Sequence, residues 1–391
     1  MKVLIALVAS SEHLSGVSRH AINVVRCLLS RAEVTEVHVA VAPWQTAAVR
    51  STLDCTDPRL HLHEVPVTRG AIGRNAWYYF RLPRLARKLN ADIVHLAYPA
   101  PLRRGACPCP TVVTLHDLYP YDIPANFGFP KMLFNRLFLQ QCLRSADTIA
   151  CVSDSTLQRL DMIVPRQVVQ KASKIFNCVD PGPAMSAASP IPGWSDEPFV
   201  LCVAQHRRNK NILFAIRVFR RLLFEGLLLG TAKLVIVGIE GPETERIHQF
   251  IRESGLAPHI ILLRGIDDAE LAWCYGHCEF LLAPSLVEGF GLPIVEAMLH
   301  HTRVVCSDIA AFREVGGSYC YYAALEPNGE DAFVKAVQRA RASFKFRESA
   351  VERFSSPRIA EAYIGMYTRL SQARAAGSSS NLVHSLERGR P

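Results

Sequence analysis

Between Phe280 and Ala297 the chain must turn from strand to helix through a loop that cannot itself be helical. Phe280-Leu281-Leu282-Ala283 is a short apolar run, and Gly289, Gly291 and Pro293 follow it. Glu288 and Glu296 stand eight positions apart. On one continuous helix they would share a face, about two turns apart. The glycines and the proline rule that out. Glu288 belongs to the loop, Pro293 suits the first helical turn, where its missing N–H costs nothing, and Glu296 falls in the first turn or so. The backbone N–H groups of Phe290, Gly291 and Leu292 then lack intrahelical partners. They form an anion site at a helix N-terminus, flanked by two carboxylates able to accept hydrogen bonds from hydroxyls. A ligand carrying both phosphates and sugar hydroxyls, such as a nucleotide sugar, fits this mix. The competing reading is that both glutamates only complement the helix dipole.

The same strand–loop–helix grammar recurs along the chain. Lys2–Ala9 is a continuous apolar run, as expected of a strand buried on both faces of a parallel sheet. A polar loop containing Gly16 follows, then helical periodicity over Ala21–Leu29. Further strands are expected at Val37–Val41, Ala91–His95, Thr111–Leu115 and Ala146–Val152, and again from Phe199 onward. A chain of 391 residues is too long for one ordinary core. The stretch Pro181–Pro198 has five prolines and no periodicity, and reads as a linker between domains at 1–180 and 199–356. A helix over 357–375 and a polar, disordered tail over 376–391 complete the expected layout.

Composition excludes several classes. The net charge of +9 is moderate, and no interleaving of basic and aromatic residues favours nucleic acid. Twelve cysteines are scattered, and Cys107 and Cys109 make only a C-x-C rather than zinc-type pairs. Cys151, Cys202 and Cys306 sit in apolar runs as small buried hydrophobes. A reduced, cytoplasmic compartment accounts for them. The N-terminal apolar run reads as a first strand rather than a signal peptide, and no apolar run is long enough to span a bilayer. Asn75–Leu89 is a basic, aromatic amphipathic helix, either packed by its aromatics with solvated arginines or facing a membrane or lipid acceptor.

Two more places carry chemistry. In an open parallel sheet, ligands bind beyond the carboxyl ends of the strands. His116, just after the run Thr111–Leu115 and directly before Asp117, stands at such an end. The loop Gln205–Asn211 brings Arg207, Arg208 and Lys210 to the end of the first strand of the second half. Cations there neutralise a diphosphate as it binds and as it leaves. With no D-x-D pair at a strand end, neither a metal nor another cofactor is expected.

These segments resemble glycosyltransferase family 4, the group 1 retaining glycosyltransferases. The likeness includes Ser15-Gly16-Val17, Thr114-Leu115-His116-Asp117, Ala146-Asp147, Val152-Ser153, and Asn177 with Val179-Asp180. It is strongest from Pro284 to Gly317, which holds the paired glutamates. The resemblance implies an α/β protein of the GT-B fold, with two Rossmann-like, doubly wound parallel-sheet domains facing a central cleft. It implies that the first domain binds the acceptor and the second the nucleotide sugar. By the same resemblance Gly16 approaches the donor phosphate, and His116 contacts the donor sugar. Lys210 and one of Arg207 or Arg208 hold the diphosphate. Glu288 binds sugar hydroxyls, Phe290, Gly291 and Leu292 offer amides, Glu296 binds the ribose, and Arg264 and Gly265 lie where the base docks. His116 and Glu288 are the candidate catalytic residues. The chain departs from the family at Ala204-Gln205, Cys178 and His300-His301.

The expected activity is retaining transfer of a hexose, with mannose one candidate. The donor is a GDP- or UDP-sugar and the acceptor a saccharide or lipid-linked acceptor, in the cytoplasm or peripherally on the inner face of a membrane. A GT-B sugar-nucleotide epimerase and a non-catalytic GT-B-like binding subunit are the alternatives.

Overall fold

The structure is a computed structural model. It describes residues 1–12, 15–126, 128–179, 185–342 and 351–387, with backbone only for Ala125 and 375–387. The expected linker is therefore described from residue 185 onward, and Asp180 lies outside the described residues.

The chain divides into two compact units, the first made of Met1–Leu118, Leu133–Cys178 and Phe354 onward. Its sheet has seven strands: β1 Lys2–Ala6, β2 Glu36–Val41, β3 Leu60–Glu64, β4 Ile93–Leu96, β5 Thr111–Leu115, β6 Thr148–Cys151 and β7 Ala172–Lys174. They run parallel in the order β3-β2-β1-β4-β5-β6-β7. Val3 pairs with Val37 on one side of β1 and with Ile93 on the other. Burial on both faces is why β1 reads as an unbroken apolar run rather than an alternating one. β1 stops at Ala6 although the apolar run continues. The carbonyls of Val8 and Ala9 are taken instead by the Tyr98 hydroxyl and the Trp44 indole N–H.

The helix Gly16–Leu29 begins earlier than its apolar periodicity suggests, because Ser15 caps it and accepts from the Ser18 N–H. Its buried face carries Ala21, Val24, Val25 and Leu28. The basic aromatic segment is helical, but not regularly so. A π-helical turn over Trp77–Arg81 separates the α-helices Ala71–Ala76 and Leu82–Lys88. Pro83, which offers no N–H to a regular ladder, stands two residues past Arg81, the last of that turn. Trp77 and Tyr78 are buried, whereas Phe80 is exposed. After Arg353 the chain returns to this unit as the helix Ser356–Glu387, whose Ile359, Tyr363 and Tyr367 complete the core around Val3, Ile5, Val25 and Val39. The polar tail expected to be disordered from 376 continues that helix to Glu387, although Gly377-Ser378-Ser379-Ser380-Asn381 has low helix propensity.

The second unit comprises Tyr119–Met132 and Val179–Arg353. Its strands are β8 Phe199–Val203, β9 Lys233–Val237, β10 Ile260–Leu263, β11 Phe280–Ala283, β12 Val304–Ser307 and β13 Tyr321–Ala323. All are parallel, in the order β10-β9-β8-β11-β12-β13. Strand order reverses between β8 and β11, which pair through Leu201 and Leu281. Such a reversal opens a crevice at the carboxyl ends of the two strands. Phe214, Phe219, Leu234, Ile236 and Phe333 fill the core of this unit. The segment Tyr119–Met132 is an early excursion of the chain into the second unit. It contains the helical turn Tyr119–Asp122 and the 3-10 turn Pro124–Asn126.

Candidate active site

The β8/β11 reversal of the second unit brings Lys210 and Glu288 together. A 3-10 turn over Arg208–Lys210 follows β8. Asn211 then takes the left-handed conformation (φ 54°) and opens the helix Ile212–Phe224. Asn209 at the middle of the turn is fully buried, and its carbonyl accepts from the Leu286 N–H at 2.8 Å. Asn211 Nδ2 donates to Pro284 O at 3.2 Å. The loop after β8 is thus stitched to the loop after β11, and Lys210 Nζ lies 2.6 Å from Glu288 Oε1.

Glu288 is 8 % exposed. Ser285 Oγ donates to its Oε1 at 2.7 Å, and the Tyr119 hydroxyl donates to its Oε2 at 3.1 Å. Asn209 Nδ2 in turn donates to the Tyr119 oxygen at 3.1 Å, and Asn126 Nδ2 donates to Asn209 Oδ1 at 3.3 Å. Burying a carboxylate is costly unless it has a partnering cation and full hydrogen bonding. Glu288 has both. Beside it lies a small pocket whose walls include Lys210, Pro284, Ser285, Glu288, Pro293 and Phe312.

Gly291 is the N-cap of the helix Leu292–Leu299, with φ 109°. A Cβ there would stand 2.9 Å from the Phe312 ring, so both conformation and space require glycine. Pro293 sits in the first turn, as its sequence position suggests. Glu296 does not: the first turn holds no acidic residue. The dipole effect fades beyond that turn, so it does not account for Glu296. Its Oε2 instead accepts from the Tyr275 hydroxyl at 2.7 Å.

Other expected site residues are spread along the same sheet edge. Arg207 is half-buried, and its Nε is buried without a hydrogen-bond acceptor among the described residues. Arg208 is exposed. Gly238 lets the end of β9 press against this loop, since a Cβ there would fall 2.0 Å from Ala204 O. Arg264 and Gly265 follow β10, at the edge of the sheet. Arg264 is exposed, pairs with Glu240 and lies 3.3 Å from His248 Nε2.

In the first unit, Gly16 is the exposed first residue of its helix. His116 follows β5, and its Nε2 donates to Ala97 O at 2.8 Å. That bond fixes the tautomer and leaves Nδ1 as the acceptor. Burial pushes the imidazole down to about 4. Behind it stands a set of histidines that reasoning from the sequence missed. His20 meets the His116 ring edge-on at 4.8 Å. His95 bridges Tyr367 Oη (2.6 Å) and Thr114 Oγ1 (2.7 Å). Burial, with the charge of His116 adding to it, takes His95 down to about 3. Burial likewise holds His20 well below its ordinary value. No short motif links these residues; only the parallel register places them side by side.

Glu36, His38 and His61 form the described group with ligand atoms close enough for a metal, within 4.8 Å of one another. His38, however, already spends one nitrogen on Glu36 (3.0 Å) and the other on His63 (2.9 Å). All twelve cysteines are free, and ten of them are buried.

Two family descriptions match the chain and tile most of it. Glycosyltransferase Family 4 covers residues 14–182, and Glycosyl transferases group 1 covers 187–353. The chain belongs to the group 1, family 4-like glycosyltransferases. This glycosyltransferase is 25% identical over 249 residues to the O-antigen chain mannosyltransferase B of Escherichia coli. The match takes in 62% of the chain but 64% of that relative, so less than two thirds of the relative's length is spanned. WaaG, a glycosyltransferase involved in lipopolysaccharide biosynthesis, superposes with a TM-score of 0.64 at 16% identity, covering 95% of this chain and 98% of its own. The catalytic domain of starch synthase IV from Arabidopsis thaliana, solved with ADP and acarbose, gives 0.65 at 15% identity, covering 95% and 99%. At such identities the likeness establishes the fold, which is GT-B with two Rossmann-like parallel-sheet domains.

Proposed function

We propose that this glycosyltransferase moves a hexose, mannose in the first instance, from a nucleoside diphosphate sugar to a saccharide or lipid-linked acceptor, with retention and without a metal. The pair of half-buried Lys210 with buried Glu288 at the strand-order reversal carries the reading. Breaking the bond between the anomeric carbon and the diphosphate leaves negative charge on the phosphate oxygens. Lys210, the unsatisfied Arg207 Nε and the first-turn amides at Gly291 and Leu292 are preorganised to stabilise that charge. Glu288, oriented by Ser285 and Tyr119, accepts hydrogen bonds from the donor sugar's hydroxyls. Glu296, held by Tyr275, does the same for the ribose. The acceptor oxygen bonds to the anomeric carbon on the face the diphosphate leaves, and its proton passes to the departing phosphate oxygen.

The mannose preference draws on the relative named a mannosyltransferase, and the nucleotide on the fold neighbour solved with ADP. For a lipid-linked acceptor the proposal includes peripheral contact with the cytoplasmic face of a membrane. Leu133, Phe134, Leu137 and Phe138 on the helix Lys131–Ser145 leave apolar surface exposed for it. Among the described residues no helix is long and apolar enough to cross a membrane.

The test is kinetic. Glu288→Ala should lower transfer by roughly a hundredfold or more, the scale of losing one preorganised transition-state contact, while nucleoside diphosphate affinity changes little. Loss of diphosphate binding with transfer retained at saturation would remove Glu288 from the sugar.

A further inference from the structure

Away from the residues assigned so far, four arginines of the first unit converge on one concavity. Arg84 and Arg87 stand on the helix Leu82–Lys88. Arg103 and Arg104 come from the loop after β4, just before Gly105, whose φ of 69° turns the chain back. Together with Tyr79, Phe80, Pro83, Gly105 and Ala106 they line the pocket. All four arginines are exposed, and among the described residues none has a carboxylate within ion-pair distance. Lys88, exposed on the same helix, adds a further cation.

Surface arginines scattered among acids need no explanation. Four that face one pocket without a counter-charge repel one another, and a bound anion relieves that repulsion. Guanidinium groups match phosphate oxygens in pairs through parallel N–H donors. The half-buried Tyr79 and the exposed Phe80, with Pro83, give the pocket an apolar wall for the organic part of an ester. The regular spacing of the helix is broken here by the π turn Trp77–Arg81, which carries both aromatic residues.

We propose that this pocket binds a phosphate or diphosphate ester through Arg84, Arg87, Arg103 and Arg104. The site is separate from the proposed donor site and does not depend on the reading of Lys210 and Glu288. Its chemistry has two sources, the head group of an anionic phospholipid and a soluble phosphate compound.

The experiment uses the full chain with two probes. One is sedimentation with vesicles of phosphatidylglycerol and phosphatidylcholine in equal parts, against phosphatidylcholine alone. The other is calorimetric titration with inorganic pyrophosphate. Arg84→Gln/Arg87→Gln and Arg103→Gln/Arg104→Gln are compared with wild type and with Arg246→Gln/Arg252→Gln, a charge-matched control in the second unit. Thermal unfolding checks that each variant is folded. Either pocket variant should lose roughly tenfold or more in affinity for at least one probe, as expected for two cations removed near anionic phosphate, and the control should not. Loss with vesicles alone assigns the pocket to lipid head groups, and loss with pyrophosphate assigns it to phosphate in general. No binding of either probe by wild type, or equal loss in the control, overturns the proposal.

Discussion

Lys210 and Glu288 form a 2.6 Å ion pair whose members follow different strands, β8 and β11, on the two sides of the strand-order reversal. Their side chains are 20 % and 6 % exposed. Removing one member of such a pair leaves the other charged and partly desolvated. Lys210→Met should therefore destabilise the protein by about 3 kcal/mol, the lower end for a broken buried pair because Lys210 keeps some solvent. The double variant Lys210→Met/Glu288→Gln should recover at least half of that loss. Denaturant unfolding of the two single variants and the double variant measures the coupling; strictly additive losses would mean the pair is not an energetic unit.

The arginines of the basic loop should separate in binding. Arg207 carries a buried Nε with no acceptor among the described residues, and Arg208 is exposed. Buried donors without partners are rare unless a ligand, ion or water completes them. Arg207→Gln should weaken nucleoside diphosphate binding about tenfold, the scale of one charged hydrogen bond, and Arg208→Gln should change it less than twofold. Calorimetry with GDP and UDP provides the comparison. Equal losses, or a larger loss at Arg208, would reverse the assignment.

The buried histidines make the first unit acid-sensitive. His116 sits at about 4 and His95 at about 3, both lowered by burial. Each is neutral when folded and takes up a proton more readily when unfolded, where the ordinary value is near 6.5. The unfolded chain therefore binds more protons in the window between the folded and unfolded values. Stability should be fully present above about pH 6.5 and fall as pH drops from there toward about 4. His95→Gln and His116→Gln should each flatten that fall, read as unfolding midpoints between neutral and acidic pH. A slope unchanged in both variants would place the acid sensitivity elsewhere.

Much of this architecture is legible in the residues themselves. Apolar runs mark β1, β8 and β11, and Gly291-Leu292-Pro293 marks the start of a helix. What local pattern cannot supply is partnership across the sheet. Tyr119 reaches Glu288 from 169 positions away, and Tyr275 holds Glu296 from a helix whose own periodicity carries no functional signal. The placement of Glu296 in the first turn missed narrowly, because the helix capped by Gly291 makes Glu296 its fifth residue. The His20–His95–His116 set depends on β4 lying beside β5, which strand order decides and spacing does not. The π turn before Pro83 escaped for a different reason: its residues have ordinary helical periodicity, and only the ladder they cannot complete gives it away.

The central claim is a donor site built on Lys210 and Glu288, and nucleotide release tests it most directly. The full chain is incubated with GDP-, UDP- and ADP-sugars, with and without saccharide and lipid-linked acceptors, and free nucleoside diphosphate is measured for wild type, Lys210→Ala and Glu288→Ala. Acceptor-stimulated release is expected from one class of donor, reduced roughly a hundredfold or more in both variants. Release from no donor under any acceptor condition, or release that persists undiminished in both variants, would contradict it.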